Sequence, residues 1–254
     1  MKAIVLGSGS AYATPQAGGY WGAAAAGNPK NRRTRASFLY SDGGFNLLID
    51  AGPDIAWQLT DNAVARVDAV FFTHAHADHI NGIPDLQRLA FNQKAPISVF
   101  CAPETLDGIR NSFDFMFSSR HNERGSDLLR WHTAEKSFEI CGRKFEIFPL
   151  PHKHMNSYAL KTGSFLYATD FDALPEDKAP FFEKLDCLVM ETNNGFNFDA
   201  KGNGHNDFRD AFRIKERFGP KRMILTHLGI DIDYETDMRK MPDGIELAYD
   251  GMNL

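Results

Sequence analysis

Hydrophobic positions in this chain fall in short runs bounded by turn-forming residues, which is the signature of many brief strands. Residues 2–6, 36–40, 46–49, 69–72, 97–101, 145–150, 157–160, 164–168, 187–190 and 223–225 are rich in aliphatic and aromatic side chains, and the pattern predicts a strand over each. Asp42-Gly43-Gly44, Cys141-Gly142-Arg143 and Thr162-Gly163-Ser164 have the composition of hairpin turns. Helical patterning is sparser and follows strands, over 54–62, 84–92, 103–117, 177–184 and 206–218. The last of these has Asp207 near its start and Lys215 and Arg217 near its end, charges that suit the helix dipole. Hairpins interspersed with helices, with no internal repeat, predict an α+β fold of two mixed sheets packed face to face with helices outside, a single domain over residues 1–254. Residues 11–35 show neither period and should form a long loop, ending in the basic residues Lys30, Arg32, Arg33 and Arg35.

Composition narrows the class. A chain of 254 residues with 43% hydrophobic and 24% charged residues can bury a sizeable core. Its net charge of −5 offers no general attraction for a polyanion, so bulk nucleic-acid binding is not expected, and any phosphate must be held locally. The three cysteines, Cys101, Cys141 and Cys187, are scattered among apolar neighbours without a CxxC pair, which suits strand packing in a reducing compartment. The opening MKAIVLGSGS is too short an apolar run for a signal peptide or a membrane span, so the expectation is a cytoplasmic protein that does not engage a membrane. Gly7-Ser8-Gly9 does not extend to a dinucleotide fingerprint, because Tyr12 stands where the third glycine would fall. No GxSxG nucleophile elbow is present either.

The strongest chemical signal follows the apolar run 70–72. Thr73-His74-Ala75-His76-Ala77-Asp78-His79 places three histidines and an aspartate within a few residues. Such groups could cap a helix or satisfy a polar core. Packed this tightly, however, they would desolvate one another unless a cation held them, and imidazole with carboxylate suits zinc, manganese or iron. A strand ending in a tight loop can aim His74 and His76 at one point and Asp78 and His79 at a second.

HxHxDH after a strand resembles the metallo-β-lactamase superfamily, whose fold is an αββα sandwich with a two-metal site at the sheet edges. Further motifs follow in the family's order. Leu47-Leu48-Ile49-Asp50-Ala51-Gly52 looks like the strand whose aspartate orients a metal-binding histidine, although Asp50 could also be a simple N-cap. Pro149-Leu150-Pro151-His152-Lys153-His154 looks like the motif that supplies one further histidine. Aligned on the Pro-Leu-Pro run, His154 takes the ligand position, with His152 the alternative. Leu166-Tyr167-Ala168-Thr169-Asp170 and Ile224-Leu225-Thr226-His227 look like the strands that end in the bridging carboxylate and the last histidine. The resemblance thus implies two divalent ions, one held by His74, His76 and His154, the other by Asp78, His79 and His227, with Asp170 between them.

Within the superfamily, the run Asn28–Ser37 and the segment Gly204-His205-Asn206-Asp207 resemble the PhnP-like phosphodiesterase branch. This implies Asp78 and His205 as catalytic residues, His205 donating a proton to the leaving oxygen or holding a phosphate oxygen. Arg32, Arg33 and Arg35 either clamp a substrate phosphate or solvate a loop. The branch carries a structural zinc in a cysteine-bearing loop. Here Gly19, Trp21, Ala24 and Ile230 stand at all four ligand positions, so the loop must be held another way, for instance by burying Tyr20 and Trp21 against the body or a second subunit. The resemblance also implies a homodimer. His121 and His132, around the polar segment 118–125, are expected at the surface or satisfied in the core. The leading expectation is a metal-dependent hydrolase of a small phosphodiester, a cyclic one included. The alternatives are a tRNA-processing nuclease resembling RNase Z, a thioester or lactone hydrolase, and a non-catalytic ligand-binding accessory of cofactor biosynthesis.

Overall fold

The computed structural model describes residues 2–117, 128–200 and 202–254; the segment 118–125 with His121 lies outside them. Two sheets of seven strands dominate. The first contains β1 (Lys2–Gly7), β2 (Ser37–Asp42), β3 (Phe45–Ile49), β4 (Ala69–Phe72), β5 (Ile97–Cys101) and β6 (Leu129–Thr133), in that order, with β14 (Met252–Asn253) outside β1. The second runs β7 (Ser137–Ile140), β8 (Arg143–His152), β9 (Met155–Thr162), β10 (Phe165–Ala168), β11 (Cys187–Glu191), β12 (Arg222–Thr226) and β13 (Ile245–Leu247). Each sheet is antiparallel on one side and parallel on the other: β3 to β6 pair in parallel, as do β10 to β13. The sheets are therefore mixed, as the strand pattern predicted.

Alternation along each strand explains the layering. Leu47 and Ile49 of β3, Phe71 of β4, Phe165 and Tyr167 of β10 and Ile224 of β12 share one buried cluster between the sheets. Their neighbours face outward. Leu48, Val70 and Phe72 pack beneath the helices α1 (Ile55–Asp61), α3 (Ile83–Asn92) and α4 (Pro103–Ser112). Leu166, Ala168, Met223 and Leu225 pack beneath α6 (Phe208–Phe218) and a 3-10 turn at Glu176–Phe182. Short helices α2 (Ala77–Ile80), α5 (Asp114–Phe117) and α7 (Tyr234–Met238) complete the set, and no helix among the described residues is long and apolar enough to cross a membrane.

Two predicted helices changed form. The segment expected over 177–184 is the 3-10 turn, because Pro180 lies inside it and cannot donate a backbone hydrogen bond. The segment over 103–117 breaks at Phe113, separating α4 from α5. By contrast, Asp207 caps α6, accepting from the backbone N–H groups of Arg209 and Asp210, and Gly219 closes it in a left-handed conformation. Cys101 and Cys187 pack in strands as expected, whereas Cys141 is exposed in the β7–β8 turn.

The loop over residues 11–35 is tied down mostly through its basic end. The Arg33 guanidinium is buried and donates to the backbone oxygens of Gly229 and Ile232 and to Asn31 Oδ1. Asn31 in turn donates to Asp233 Oδ2 at 2.7 Å, and Lys30 Nζ donates to the Tyr234 hydroxyl at 3.1 Å. Tyr20 is not buried against the body of the chain: it is 63% exposed, and Trp21 packs under the Arg32 guanidinium.

Candidate metal centre

Strands running in the same direction bring their carboxyl ends to one edge, and the metal-site candidates lie at or beyond such ends. Asp50 follows β3, His74 follows β4, His152 ends β8, Asp170 follows β10, Glu191 ends β11 and His227 follows β12. Asp50, Asp170 and His227 all adopt left-handed backbone, with φ of 60°, 55° and 53°. Such conformations are costly for residues with side chains and gather where a surrounding structure enforces them. Gly52 lets the loop after β3 press against α2: an added Cβ would lie 2.1 Å from the Asp78 carbonyl oxygen.

Two groups of donors result. His74, His76, His152 and Asp170 form one, and Asp78, His79, Asp170 and His227 the other, with the ligand atoms of each group all within 4.8 Å of one another. His74 Nε2 lies 3.0 Å from His76 Nδ1, which is 3.3 Å from His152 Nε2. His79 Nε2 is 3.1 Å from Asp78 Oδ2, and His227 Nε2 lies 3.4 Å from both Asp78 Oδ2 and Asp170 Oδ1.

The third histidine of the first group is His152, which corrects the expectation for His154. Strand β8 continues its in-and-out alternation to His152, whose register partner on β9 is Met155. Lys153 and His154 are thus the two residues of the hairpin turn, and Lys153 turns the chain with φ of 52°. His154 is carried outward, to a separate cavity beside Ala75 and Glu104. Matching the Pro-Leu-Pro run counted residues along the strand but could not locate the turn.

Buried partners set the ring orientations. His152 Nδ1 donates to the Gly204 carbonyl at 2.8 Å, turning Nε2 toward the cluster. Asp50 lies 2.8 Å from His79 Nδ1 and accepts from the Thr73 backbone N–H at 2.8 Å, so it orients a histidine rather than capping a helix. Burial and the neighbouring His79 keep His74 well below its ordinary pKa, and burial followed by His152 lowers His76, so both lone pairs are available. Burial opposes charge on His79 as well, but Asp78, Asp50 and Asp170 outweigh it and raise its pKa well above the ordinary value. Burial also works against an ionised Asp170, yet His227 and His79 hold it well below the usual carboxylate range.

This set fits divalent ions. Imidazole nitrogens and carboxylate oxygens converge, and the fully buried His79 Nε2 makes no hydrogen bond, an arrangement that a cation resolves. A third grouping, Glu191 with His205 and His227, fits less well as a metal site. Both Glu191 oxygens are already engaged, Oε1 by the backbone and side-chain amides of Asn206 and Oε2 by the Asn193 N–H.

Glu191 does something else. Its Oε2 lies 3.5 Å from His205 Nδ1, and the His205 ring stacks on His227 with centroids 5.2 Å apart. Burial disfavours charge on His205, but the Glu191 carboxylate more than offsets it and raises its pKa to about 8. Glu191 escaped the sequence reading because a glutamate ending an apolar strand carries no spacing of its own. The signal available was a buried-strand pattern ending in an acid.

A cavity of about 390 Å³ opens over the cluster, with Ser10, Tyr12, Lys153, Asn193 and His205 around it. None of the three arginines expected as phosphate contacts borders it. Arg33 is the buried tie described above, Arg35 is paired with Asp54 at 3.0 Å, and Arg32 lies over Trp21. Arg33 and Arg35 tie the loop to the body of the protein, to the Gly229 and Ile232 carbonyls and to the Asp54 carboxylate. The cation at the cavity is Lys153, whose stem lies along Gly204, where an added Cβ would approach Lys153 Cε to 2.5 Å. His132, in β6, lies elsewhere, stacked on Phe100 of β5.

Comparison with known proteins agrees with this geometry. A family model described as the beta-lactamase superfamily domain matches residues 45–228. An octanoyltransferase of Porphyromonas gingivalis is 24% identical over 99% of this chain, which spans about half (51%) of that protein's length. A ribonuclease Z of Methanocaldococcus jannaschii is 24% identical, covering 92% of this chain and 88% of its own. Among solved structures, a diphosphatase from the PhnP family superposes with a TM-score of 0.89 at 27% identity, over 100% of this chain and 96% of that one. The chain therefore belongs to the beta-lactamase superfamily, as a metal-dependent hydrolase of the metallo-β-lactamase fold.

Proposed function

We propose that the protein is a phosphodiesterase acting on a small, including a cyclic, phosphodiester. The observation that carries this reading is the His205–Glu191 pair at the edge of the cavity that opens over the donor cluster. Two divalent ions, zinc or manganese, would be held by His74, His76 and His152 and by Asp78, His79 and His227, with Asp170 between. When bound, they would supply Lewis acidity toward the phosphate and an attacking water.

The chain's own residues do the rest. His205, kept protonated by Glu191, gives a proton from its other ring nitrogen to the departing oxygen. Lys153 places a positive charge at the cavity beside the non-bridging oxygens. Asp50 and the Gly204 carbonyl fix the His79 and His152 rings, so the donor set needs little rearrangement.

The similarity to ribonuclease Z raises a tRNA substrate, but Arg33 is buried and Arg35 is paired with Asp54, so the loop offers little of its basic run to a polyanion. The similarity to an octanoyltransferase favours a second reading, thioester hydrolysis, which the same ions would permit.

The test is turnover of metal-loaded protein on a panel of linear and cyclic phosphodiesters and an octanoyl thioester. Phosphodiester cleavage should disappear with a chelator, and His205→Ala should lower kcat by about 10²–10⁴-fold. Lys153→Ala should act chiefly on KM. Thioester cleavage without phosphodiester cleavage would replace this reading with the second.

A further inference from the structure

A second cavity, of about 490 Å³, lies beside the metal-site cavity, and the two have His205 in common. None of the residues of the two metal-donor groups lines it. Its apolar side chains are Leu174, Ile214 and Phe218, the last two one turn apart on α6. Its volume is in the range of small-molecule sites.

Charge decides what it can hold. Arg213 and Arg217 stand at this cavity, yet each is already matched: Arg213 with Asp210 at 3.2 Å, and Arg217 with both oxygens of Glu176 at 2.7 and 2.6 Å. A second phosphate would have to displace a carboxylate from each arginine, whereas an apolar group would find the buried Ile214 and the half-buried Leu174 and Phe218.

We infer that this cavity is the leaving-group subsite and takes an uncharged aromatic or alkyl alcohol portion of the substrate. The step rests on the phosphodiesterase reading: a residue that protonates the departing oxygen must stand beside the departing group, and His205 is the residue common to both cavities. In that step a water oxygen bonds to phosphorus and gives up one proton to solvent, the bond from phosphorus to the leaving oxygen breaks, the His205 proton goes to that oxygen, and His205 regains a proton from solvent so that the cycle closes. The substrate class is thereby narrowed to phosphodiesters with one apolar alcohol, rather than diphosphates or dinucleotides.

Filling the cavity tests this. Ile214→Trp and Leu174→Trp are compared with the parent protein on methyl phenyl phosphate and methyl trifluoroethyl phosphate. The ratio of kcat/KM values, phenyl over trifluoroethyl, should fall about tenfold or more, the order of one lost apolar burial. Calorimetric binding of phenylphosphonate against methylphosphonate should lose its phenyl preference in parallel. Leu174 lies in a half-buried loop position, so its variant decides the matter if the helix variant fails to fold. An unchanged ratio and an unchanged phosphonate preference in a folded variant would overturn the assignment. A phenyl preference that the variants abolish, in a protein that cleaves no phosphodiester, would uphold the apolar subsite while sinking the phosphodiesterase reading.

Discussion

An imidazole becomes a metal ligand when one nitrogen is committed to a donor role elsewhere and the other is left with its lone pair facing the ion. His152 meets this condition through the Gly204 carbonyl, and His79 through Asp50. His154, exposed at a hairpin turn, does not. His152→Ala should therefore lower metal affinity by at least the ~10–100-fold typical of losing even an outer partner, while His154→Ala should keep full occupancy. Metal stoichiometry by mass spectrometry of the dialysed variants distinguishes the two, and loss confined to His154→Ala would refute the assignment. HxHxDH was legible because its members are adjacent in sequence. Glu191 and Lys153 were not, since their relation to the site depends on strands and a turn that converge only in the fold.

At the scale of elements, the long loop over 11–35 is held by side chains where the expectation was burial of aromatic rings. Asp233 is central: it caps α7 by accepting from the Thr236 N–H, and it accepts from the Ala25 N–H at 3.0 Å and from Asn31 at 2.7 Å. Partial burial opposes its charge, but these donors hold its pKa below the ordinary carboxylate value. A carboxylate depressed in the folded state stabilises above its unfolded pKa and loses that contribution as pH falls through the folded one. Asp233→Ala should cost about 1 kcal/mol or more at pH 7 as a lost cap, with the gap between the two proteins narrowing below about pH 4. Thermal melts across pH measure it; a gap that persists undiminished under strongly acidic conditions would contradict this account. Helix α6 shows the opposite case, an element whose limits, Asp207 and Gly219, are local chemistry and could be read directly. The short edge strands β13 and β14 could not, because so few residues acquire strand character only by pairing.

For the whole molecule, the layer between the sheets sets how accurately the two sets of strand ends face each other. Phe145 of β8 is fully buried there, with ring contacts to Phe138 of its own sheet and to Tyr40 and Phe45 of the other. Phe145→Ala should cost about 3–5 kcal/mol, read as a lower denaturant midpoint. A loss below about 1 kcal/mol would mean that the sheets close over the cavity and do not depend on this contact. The sequence by itself determined the strand-rich layers, the donor-rich HxHxDH segment, and the order in which the remaining motifs occur, because hydrophobic alternation and adjacent ligands are local properties. Only the tertiary structure decided that His152 and not His154 turns inward, that Arg33 and Arg35 tie the loop to distant parts of the chain, and that a second cavity with apolar side chains meets the first at His205. Those outcomes depend on where a turn falls and which distant backbone lies against it, and contacts between residues far apart in the chain are set by packing rather than by local pattern.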